Sequence, residues 1–453
     1  MTRITGVELT DLRFPTSASA DGSDAMNKDA DYSAAYVEIR TDDPALSGYG
    51  FTFTIGRGND LCVAAARQRA EPFIGQVAPL DAAGLAAAYR SIKADSQLRW
   101  LGPEKGVEHL ATAAVMNALW DLAARAAGKP LWRFVTDMSP EELVAVSDLQ
   151  YLSDVLTAEQ ARELLTAGLD GREARIARLE ADGYPCYTTS AGWLGYSDDK
   201  LRRLCQEAVD AGYTHVKLKV GQSLADDIRR CGIAREVIGW DRQLMIDANQ
   251  VWDVPEAIDW ITQLARFQPL WIEEPTSPDD VLGHAAIRAA VAPVRVATGE
   301  HGMNRVLFKQ LFQTQAIDFC QLDSARLASI NEILPVYLMA AKFGVPVCPH
   351  AGGVGLCELV QHLSIIDYVA VSGSLDERVT EYVDHLHEHF VDPCIVADGA
   401  YRVPRAPGYS ARIKSDSLAE FAYPDGRYWA EAAAESAQAP AEAGAPTRAA
   451  RVA

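Results

Sequence analysis

The chain lacks an excess of positive charge. Its 453 residues include 42 Lys and Arg against 62 Asp and Glu, a formal net charge of −20. Such an acidic surface repels nucleic acids and anionic membranes, so neither is expected as a partner. If the substrate is an anion, a local group of cations must overcome this field.

Long hydrophobic runs and closely spaced cysteines are also missing. No uninterrupted apolar run reaches the length of a membrane span, and the first residues do not form a signal peptide. The sequence therefore predicts a cytoplasmic protein. The eight cysteines are scattered, with no Cys-x-x-Cys or similar pair, which predicts buried reduced thiols rather than disulfides or zinc ligands.

What is present is a change of pattern along the chain. Residues 4–14, 34–40 and 48–55 alternate apolar and polar side chains, and two segments with helical spacing follow them. A small antiparallel sheet followed by helices predicts an α+β domain over residues 1–145, which we expect residues 395–430 to complete. The Ala-, Glu- and Pro-rich tail, residues 431–453, has few large apolar side chains and is predicted to be disordered.

Short apolar strands alternate with amphipathic helices between these parts, over residues 146–394. The strands are predicted at residues 184–190, 214–221, 242–247, 270–273, 294–298, 317–321 and 345–348. So many consecutive β-α units favour an α/β barrel, and a doubly wound open sheet is the alternative.

The predicted strand at residues 214–221 carries two lysines, Lys217 and Lys219. Because side chains alternate across a strand, both ammonium groups leave the same face. Neither can lie in an apolar core without a partner, and a solvated edge strand is the alternative interpretation.

Polar residues end the successive strands at a regular interval. They are Lys219, Asp247, Glu273, Glu300, Asp323 and His350, separated by 28, 26, 27, 23 and 27 positions, one β-α unit each time. The C-terminal ends of the strands form the active-site face of such a barrel, so these six side chains are predicted to meet in one bowl.

Three of these residues, Asp247, Glu273 and Glu300, bring carboxylates together. A divalent cation relieves their repulsion, and oxygen ligands favour Mg²⁺; for any one acid alone, a capping or salt-bridge role is the alternative. The lysines beside this cation are expected to have lowered pKa values, so that one of them can act as a base. Asp323 is expected to orient the imidazole of His350 for acid–base work.

These motifs resemble the enolase superfamily, in its mandelate racemase-type subgroup. The resemblance rests on Lys217-Leu-Lys219, Asp247-Ala-Asn249, Trp271-Ile-Glu-Glu-Pro275, Thr298-Gly-Glu300 and the pair Asp323 and His350. Further segments resemble the L-fuconate dehydratases within that superfamily, at residues 21–26, 31–36, 97–105, 274–280, 350–358 and 381–387. The chain departs from that pattern in its C-terminal tail and at Ala328-Ser329, where Gly-Gly is more usual.

The resemblance implies a fold, a cofactor and a reaction. The fold is α/β, a modified TIM barrel of the (β/α)7β type with an α+β capping domain, and the cofactor is one Mg²⁺ held by Asp247, Glu273 and Glu300. The reaction is dehydration of a sugar acid, with L-fuconate as the expected substrate, through removal of the carbon-2 proton, stabilisation of the enediolate and loss of the 3-hydroxyl. The alternatives are a dehydratase for another acid sugar of the galactonate or arabonate type, a racemase, or a catalytically silent protein that binds a sugar acid or a metal.

The resemblance also implies roles for individual residues. Lys219 is the base, Lys217 neutralises carboxylate charge, and His350, held by Asp323, protonates the departing hydroxyl. The residues expected to contact the substrate are Lys217, Asn249, Glu381, Gly22, Ser23, Asp24, Tyr32, Glu300, Ala351 and Gly352. The expected partner is a small-molecule sugar acid, and we expect the protein to form a homo-oligomer.

Overall fold

The N-terminal part of the chain is an antiparallel sheet, in a computed structural model that describes residues 1–102 and 104–438. Strand β1 (Ile4–Arg13) pairs with β2 (Ser33–Thr41), which pairs with β3 (Ser47–Thr54). A long helix crosses β3 so closely that a Cβ atom at Gly50 would lie 2.3 Å from the backbone nitrogen of Ala118. Glycine is therefore required at this contact between sheet and helix.

Helices cover this sheet and connect it to the rest of the chain. They are α1 (Asn59–Ala70), α2 (Ala82–Lys93), α3 (Gly106–Ala126), α4 (Leu131–Thr136), α5 (Pro140–Val146), α6 (Ala158–Ala167) and α7 (Arg172–Asp182). Ser139 and Thr157 begin α5 and α6 with capping boxes, in which the hydroxyl accepts a backbone N–H and the side chain three residues later returns a hydrogen bond.

A barrel follows the helices. Its elements are β4 (Tyr184–Thr188), α8 (Asp198–Asp210), β5 (His215–Lys219), α9 (Leu224–Ile238), β6 (Gln243–Asp247), α10 (Val254–Leu264), β7 (Pro269–Glu273), α11 (Val281–Val291), β8 (Arg295–Thr298), α12 (Arg305–Gln313), β9 (Phe319–Cys320), α13 (Ile330–Phe343), α14 (Leu356–Ile366) and β10 (Thr380–Tyr382). Strands β4 to β9 pair in chain order, each parallel to the next.

The segment of residues 347–350 and strand β10 close the barrel. Val347 and His350 form parallel bridges to Cys320 and Asp323, and β10 returns to pair with β4. The strand predicted at residues 345–348 is thus reduced to isolated bridges. The described strands and this segment nevertheless give the (β/α)7β order that the family resemblance implies.

The barrel interior explains why the strand-end residues share one site. Tyr187, Met245, Trp271, Ala297, Phe319, Cys348 and Val379 pack together inside the barrel, fully buried or nearly so. Three of the six strand-end residues lie two positions after one of these side chains: Asp247 after Met245, Glu273 after Trp271 and His350 after Cys348. Because side chains alternate, residues two positions later also face the interior, one layer nearer the C-terminal ends of the strands.

The C-terminal part of the chain divides between the two domains. Strands β11 (Val396–Ala397) and β12 (Ala400–Tyr401) extend the barrel sheet at β4, so the prediction that residues 395–430 as a whole complete the cap is wrong for this hairpin. Helices α15 (Ser415–Phe421) and α16 (Arg427–Gln438) lie against the cap, where Trp429 Nε1 donates to the carbonyl of Arg13 at 3.1 Å.

Two predictions made from composition have different outcomes. Helix α16 runs to Gln438, so the predicted disorder is wrong for residues 431–438, and residues 439–453 lie outside the described residues. All eight cysteines are free and buried, which confirms the prediction of reduced thiols. Within residues 1–102 and 104–438, none of the helices combines the length and the hydrophobicity of a membrane-spanning segment.

Ser329 occupies a backbone conformation that only glycine adopts easily. It precedes α13 with φ 60° and ψ −159°, is fully buried, and its hydroxyl has no hydrogen-bond partner among the described residues. We expect Ser329→Gly to raise the free energy of unfolding by about 1 kcal/mol, because it relieves backbone strain and removes an unpaired hydroxyl. Urea denaturation measures this.

The neighbouring residue provides a matched control. Ala328 is equally buried but does not have a positive φ. Ala328→Gly is therefore expected to lower the free energy of unfolding by about 1 kcal/mol, since glycine adds entropy to the unfolded chain. A destabilised Ser329→Gly variant would contradict the strain argument.

A buried ion cluster joins the cap to the barrel around Glu332 of α13. Its Oε2 lies 2.6 Å from His109 Nε2 and accepts the N–H of Ala328, and its Oε1 accepts from the backbone and side chain of Arg305. Burial alone raises the pKa of Glu332, but His109 and Arg305 outweigh burial and lower it to about 2.

This lowered pKa predicts a loss of stability in acid. The ionised form of Glu332 stabilises the fold fully above its unfolded pKa of about 4.5, and this contribution is lost as the pH falls toward 2. Between about pH 6 and about pH 3 the stability difference between the wild type and Glu332→Gln should shrink by about 2 kcal/mol. Urea denaturation across this pH range measures the change, and Glu207→Gln, at an exposed position, is the control. A stability difference between the wild type and Glu332→Gln that does not change with pH would disprove the role of Glu332.

Candidate active site

Strand β5 directs both of its lysines into the barrel. Lys217 Nζ lies 2.6 Å from Glu273 Oε1 and 3.4 Å from Asp247 Oδ2, and Lys219 Nζ lies 2.6 Å from the same Asp247 oxygen. Two side chains that reach one carboxylate oxygen leave the same face of the strand. This confirms the predicted direction of the lysines and excludes the solvated edge strand.

The three predicted cation ligands meet at the ends of β6, β7 and β8. Each of Asp247, Glu273 and Glu300 offers an oxygen within 4.8 Å of the others, and all three residues are buried. Asp247 and Glu273 are register partners on neighbouring strands, which explains why they meet. We call these three residues the carboxylate triad.

The electrostatics of the carboxylate triad suit a divalent cation. Burial raises the pKa of Glu273 to about 8 and raises that of Glu300, and neighbouring carboxylates add to both effects. Glu300 Oε2 is buried without a hydrogen-bond partner among the described residues. A cation with oxygen ligands such as Mg²⁺ satisfies that oxygen and offsets the clustered negative charge, so these residues fit the metal that the sequence predicts.

The pKa values of the two lysines reflect opposed effects of burial and neighbouring charges. Burial lowers the pKa of Lys219, and so does the like charge of Lys217, but Asp247, Glu300 and Asp24 together outweigh them and the net pKa is raised. Burial also lowers the pKa of Lys217, but Glu273, Glu381 and other neighbours outweigh burial and raise it. The predicted lowering depends on the charge of a bound cation as well as on the neighbouring lysine, so it stays a prediction; the contacting carboxylates act in the opposite direction.

His350 and Asp323 form the predicted pair. Nδ1 of His350 lies 2.9 Å from Asp323 Oδ2, and the other Asp323 oxygen accepts the N–H groups of Ala325 and Arg326 at 2.8 Å. These backbone donors hold the carboxylate, which in turn holds the ring. Nε2 of His350 lies 3.5 Å from Glu300 Oε2, so the imidazole also reaches the carboxylate triad.

The surroundings of His350 allow both of its protonation states. Burial lowers its pKa, but Glu300, Asp323 and Glu381 outweigh burial and raise it to about 10. The N–H of Gly352 points at Nε2 from 3.1 Å, a contact that the neutral ring accepts. His350 can therefore carry a proton at neutral pH and remain stable after donating it.

A cavity of about 270 Å³ opens between the cap and these strand ends. Nine of the predicted site residues line it: Gly22, Asp24, Tyr32, Lys219, Asn249, Glu300, Asp323, His350 and Gly352. No side chain fits at Gly22, because the ring of Tyr32 occupies that space. The cavity suits a ligand smaller than most drugs, such as a sugar acid.

The other predicted residues lie behind the cavity wall. Asp247 and Glu273 are fully buried, as is Lys217, while Glu381 is 1% exposed and bonded to Lys217 at 2.9 Å. Ala351 donates its N–H to Glu381 Oε2 at 2.9 Å, and Ser23 donates its hydroxyl to the carbonyl of Leu194 at 2.7 Å. In this structure Lys217, Glu381, Ala351 and Ser23 therefore support the wall rather than face the cavity.

The prediction missed several residues that line the cavity. Trp193 lies under Lys219, with Nζ 5.4 Å from a ring centroid, and Arg326 and His301 also face the space. His301 Nδ1 lies 2.8 Å from Glu274 Oε1 and 3.3 Å from Glu300 Oε1. Its place directly after Glu300 is a signal that sequence inspection could have used.

The fold and the site together define a class: a capped α/β barrel with three clustered carboxylates at the strand ends, flanked by a lysine and a His–Asp pair. A family model described as "Enolase C-terminal domain-like" matches residues 200–417. The crystal structure of human mitochondrial enolase superfamily member 1 superposes with a TM-score of 0.93 and 53% identity, over 95% of this chain and 98% of that chain. The protein belongs to the enolase superfamily, which confirms the predicted family and fold.

Two further relatives are dehydratases of sugar acids. L-galactonate dehydratase of Hypocrea jecorina is 54% identical over 93% of this chain and 94% of its own length. L-talarate dehydratase from Polaromonas sp. JS666, in a crystal structure complexed with Mg and L-glucarate, superposes with a TM-score of 0.68 at 26% identity, over 92% of this chain and 96% of that chain. Neither name contains L-fuconate, the substrate that the sequence motifs suggest.

Proposed function

We propose that this protein is a Mg²⁺-dependent dehydratase of sugar acids and that its substrate is L-galactonate. One observation carries the proposal: Lys219 and His350 line the same cavity and contact the carboxylate triad through different members, Asp247 and Glu300. A substrate carboxylate at the triad thus has a base candidate and an acid candidate in one enclosed space.

The metal is assigned to the carboxylate triad, Asp247, Glu273 and Glu300. Its donor chemistry and the unpartnered Glu300 oxygen support this, as does the Mg bound in the Polaromonas relative. When bound, Mg²⁺ supplies positive charge that makes negative charge on the substrate carboxylate less costly. Behind the triad, Lys217 holds Glu273 Oε1 at 2.6 Å, and Trp271 and Gln321 donate to Glu273 Oε2, so this ligand is fixed in place.

Lys219 is the proposed base. It removes the proton from carbon 2, whose electron pair then forms the double bond between carbons 2 and 3. Trp193 and Asp247 hold its nitrogen at the cavity wall, so the reacting atom has little freedom. The reacting form is the neutral amine, which a cation held by Asp247 would favour by offsetting the charge of this carboxylate. Such positioning is a recognised part of proton transfer by an enzyme.

His350 is the proposed acid. It gives its proton to the 3-hydroxyl, which leaves as water as the double bond forms. The enol product then becomes the 2-keto-3-deoxy acid by moving a proton to carbon 3, so the overall change is loss of one water. Asp323 keeps Nδ1 of the ring protonated and directs Nε2 toward the site.

The choice of L-galactonate rests on the Hypocrea relative, and L-fuconate is the second candidate. L-fuconate is 6-deoxy-L-galactonate, so the two acids share the configuration at carbons 2 to 5 and differ only in the hydroxyl at carbon 6. The motifs shared with L-fuconate dehydratases favour the second candidate. Polar groups of Asp24, Asn27 and Arg57 line the cap side of the cavity and favour a substrate that keeps this hydroxyl.

A panel of acids tests the proposal. The purified protein with Mg²⁺ is incubated with L-galactonate, L-fuconate, D-galactonate and D-arabinonate, and 2-keto-3-deoxy acids are measured. We expect turnover of L-galactonate, and of L-fuconate with a lower kcat/KM. A higher kcat/KM for L-fuconate would reassign the substrate, and no turnover of any acid would refute the dehydratase.

The same incubation in deuterium oxide separates a racemase from a dehydratase. A racemase incorporates deuterium at carbon 2 without releasing a keto acid, whereas we expect the keto acid to accumulate. Omission of Mg²⁺, with a chelator present, is expected to abolish turnover. Addition of excess Mg²⁺ is expected to restore it. Turnover that survives the chelator would contradict the assigned role of the triad.

A further inference from the structure

Three potential metal ligands converge outside the catalytic cavity. Glu358 lies in the first turn of α14, His387 in a short turn after β10, and Cys394 in the loop before β11. Their ligand atoms all lie within 4.8 Å of one another. The proposed dehydration uses none of these three side chains.

The backbone holds Nε2 of His387, which leaves Nδ1 as the candidate metal ligand; a metal ion would replace the proton that Nδ1 shares with Glu358. Nε2 lies 2.8 Å from the carbonyl of Val383, which can only accept, so Nε2 carries a hydrogen. Nδ1 faces the other two side chains, at 2.7 Å from Glu358 Oε1 and 3.5 Å from Cys394 Sγ. A backbone carbonyl that fixes one imidazole nitrogen while the other faces a carboxylate and a thiol is the usual outer arrangement of a metal-bound histidine.

The side chain of Glu358 provides an independent sign of a ligand. It is fully buried, and its Oε2 has no hydrogen-bond partner among the described residues. Oε1 accepts the Nδ1 contact and the N–H of Cys394 at 3.3 Å. An unpartnered buried carboxylate oxygen costs free energy unless a cation or proton satisfies it.

The donor set and its dimensions suit zinc. In a tetrahedral zinc site with Zn–N and Zn–S bonds of about 2.1 and 2.3 Å, the nitrogen and sulfur lie about 3.5 Å apart. The observed separation of Nδ1 and Sγ is 3.5 Å. The carboxylate oxygen has to move away from Nδ1 by about 0.6 Å, which a rotation of the Glu358 side chain supplies.

We propose that Glu358, His387 and Cys394 form a second metal site, for Zn²⁺, separate from the carboxylate triad. These three side chains leave the fourth position of a tetrahedral ion for a water molecule. The imidazole is 17% exposed, which gives an ion a route to the site, and it stacks on Tyr382 at 5.2 Å. The site ties α14 to the segment that follows β10, and so holds the two chain segments that carry Ala351 and Glu381 behind the catalytic cavity.

Metal analysis of the full chain tests this site. Protein stripped with a chelator is dialysed against Zn²⁺ with Mg²⁺ in excess, which keeps the carboxylate triad occupied. We expect one Zn²⁺ to be retained per chain. Co²⁺ in place of Zn²⁺ should give the near-ultraviolet charge-transfer band of a cobalt–thiolate bond, which the oxygen ligands of the triad cannot produce.

Variants assign the ligands. Cys394→Ser and His387→Gln are expected to weaken Zn²⁺ binding at least about 100-fold in competition with a chromophoric chelator, whereas the buried Cys205→Ser, remote from the cluster, should bind as the wild type does. If the wild type retains no Zn²⁺ or gives no charge-transfer band, the contact between His387 and Glu358 is an ion pair only and the proposal fails. That result does not depend on whether the variants fold. Unchanged affinity in folded Cys394→Ser also overturns it.

Discussion

Replacing Lys219 by Met is expected to lower kcat for dehydration by at least about 1000-fold and to stop exchange of the carbon-2 proton with solvent. The reason is that Met fills a similar volume beside Trp193 but cannot accept a proton. In the variant Asp247 still has two of its partners, the N–H of Asn249 at 2.9 Å and Lys217 Nζ at 3.4 Å in the wild type. The variant should therefore fold. Product assays, deuterium incorporation and thermal unfolding with Mg²⁺ measure these three properties.

Lys219→Arg is the matched control for charge. Arginine keeps a cation beside Asp247 but does not give up its proton at any accessible pH, so it cannot serve as a base. We expect it to be as inactive as Lys219→Met. Substantial activity in the arginine variant would show that Lys219 contributes charge only, and that another group removes the proton.

Replacing His350 by Asn is expected to separate the two halves of the reaction. The amide keeps a hydrogen bond to Asp323 but has no proton to give to the leaving hydroxyl, so dehydration should fall by about 100- to 10,000-fold. Removal of the carbon-2 proton by Lys219 does not require the imidazole. Exchange of that proton with deuterium oxide should therefore persist within about 10-fold of the wild-type rate.

The comparison between the two variants is the sharper test. Lys219→Met should lose exchange and dehydration together, whereas His350→Asn should lose dehydration alone. His215→Asn, at the start of the same lysine strand and outside the cavity lining, is the control for a general effect of replacing a histidine. Loss of exchange in His350→Asn would mean that the imidazole, and not Lys219, removes the proton.

The position of the catalytic candidates could be predicted because it follows from local periodicity. The direction of Lys217 and Lys219 follows from alternation within one strand, and the spacing from Lys219 to His350 follows the length of a β-α unit. Both are properties of neighbouring residues and need no knowledge of distant contacts. For the same reason, the bowl at the strand ends is where the prediction and the structure agree.

The charge states in the site could not be predicted in this way. The lysine pKa values depend on Asp247, Glu273 and Glu381, which come from three other strands and approach to 2.6–2.9 Å. At such distances in a buried site, the sum of several opposed interactions decides the sign of a pKa shift. The sequence shows the participants, but the sign follows only from their separations.

The contacts on the cap side of the site could not be predicted from the sequence either. Family likeness places Ser23 and Tyr32 near the substrate, but only the packing shows that Ser23 turns to Leu194 while Tyr32 faces the cavity. The proposed second metal site was even harder to predict from the sequence, because Glu358, His387 and Cys394 have no recognisable ligand spacing. The interpretation based on cysteine spacing placed Cys394 among ordinary buried thiols.

The barrel and the ring of polar residues at the strand ends follow from the sequence, because both repeat at a period set by local backbone geometry. The superfamily follows from the resemblance of the sequence motifs. The tertiary structure alone decided which of these residues line the cavity, how Asp247 and its neighbours shift the lysine pKa values, and how α14 meets the segment after β10. These features arise where chain segments that lie far apart in sequence come into contact, and contact distances, rather than residue order, govern buried electrostatics and packing.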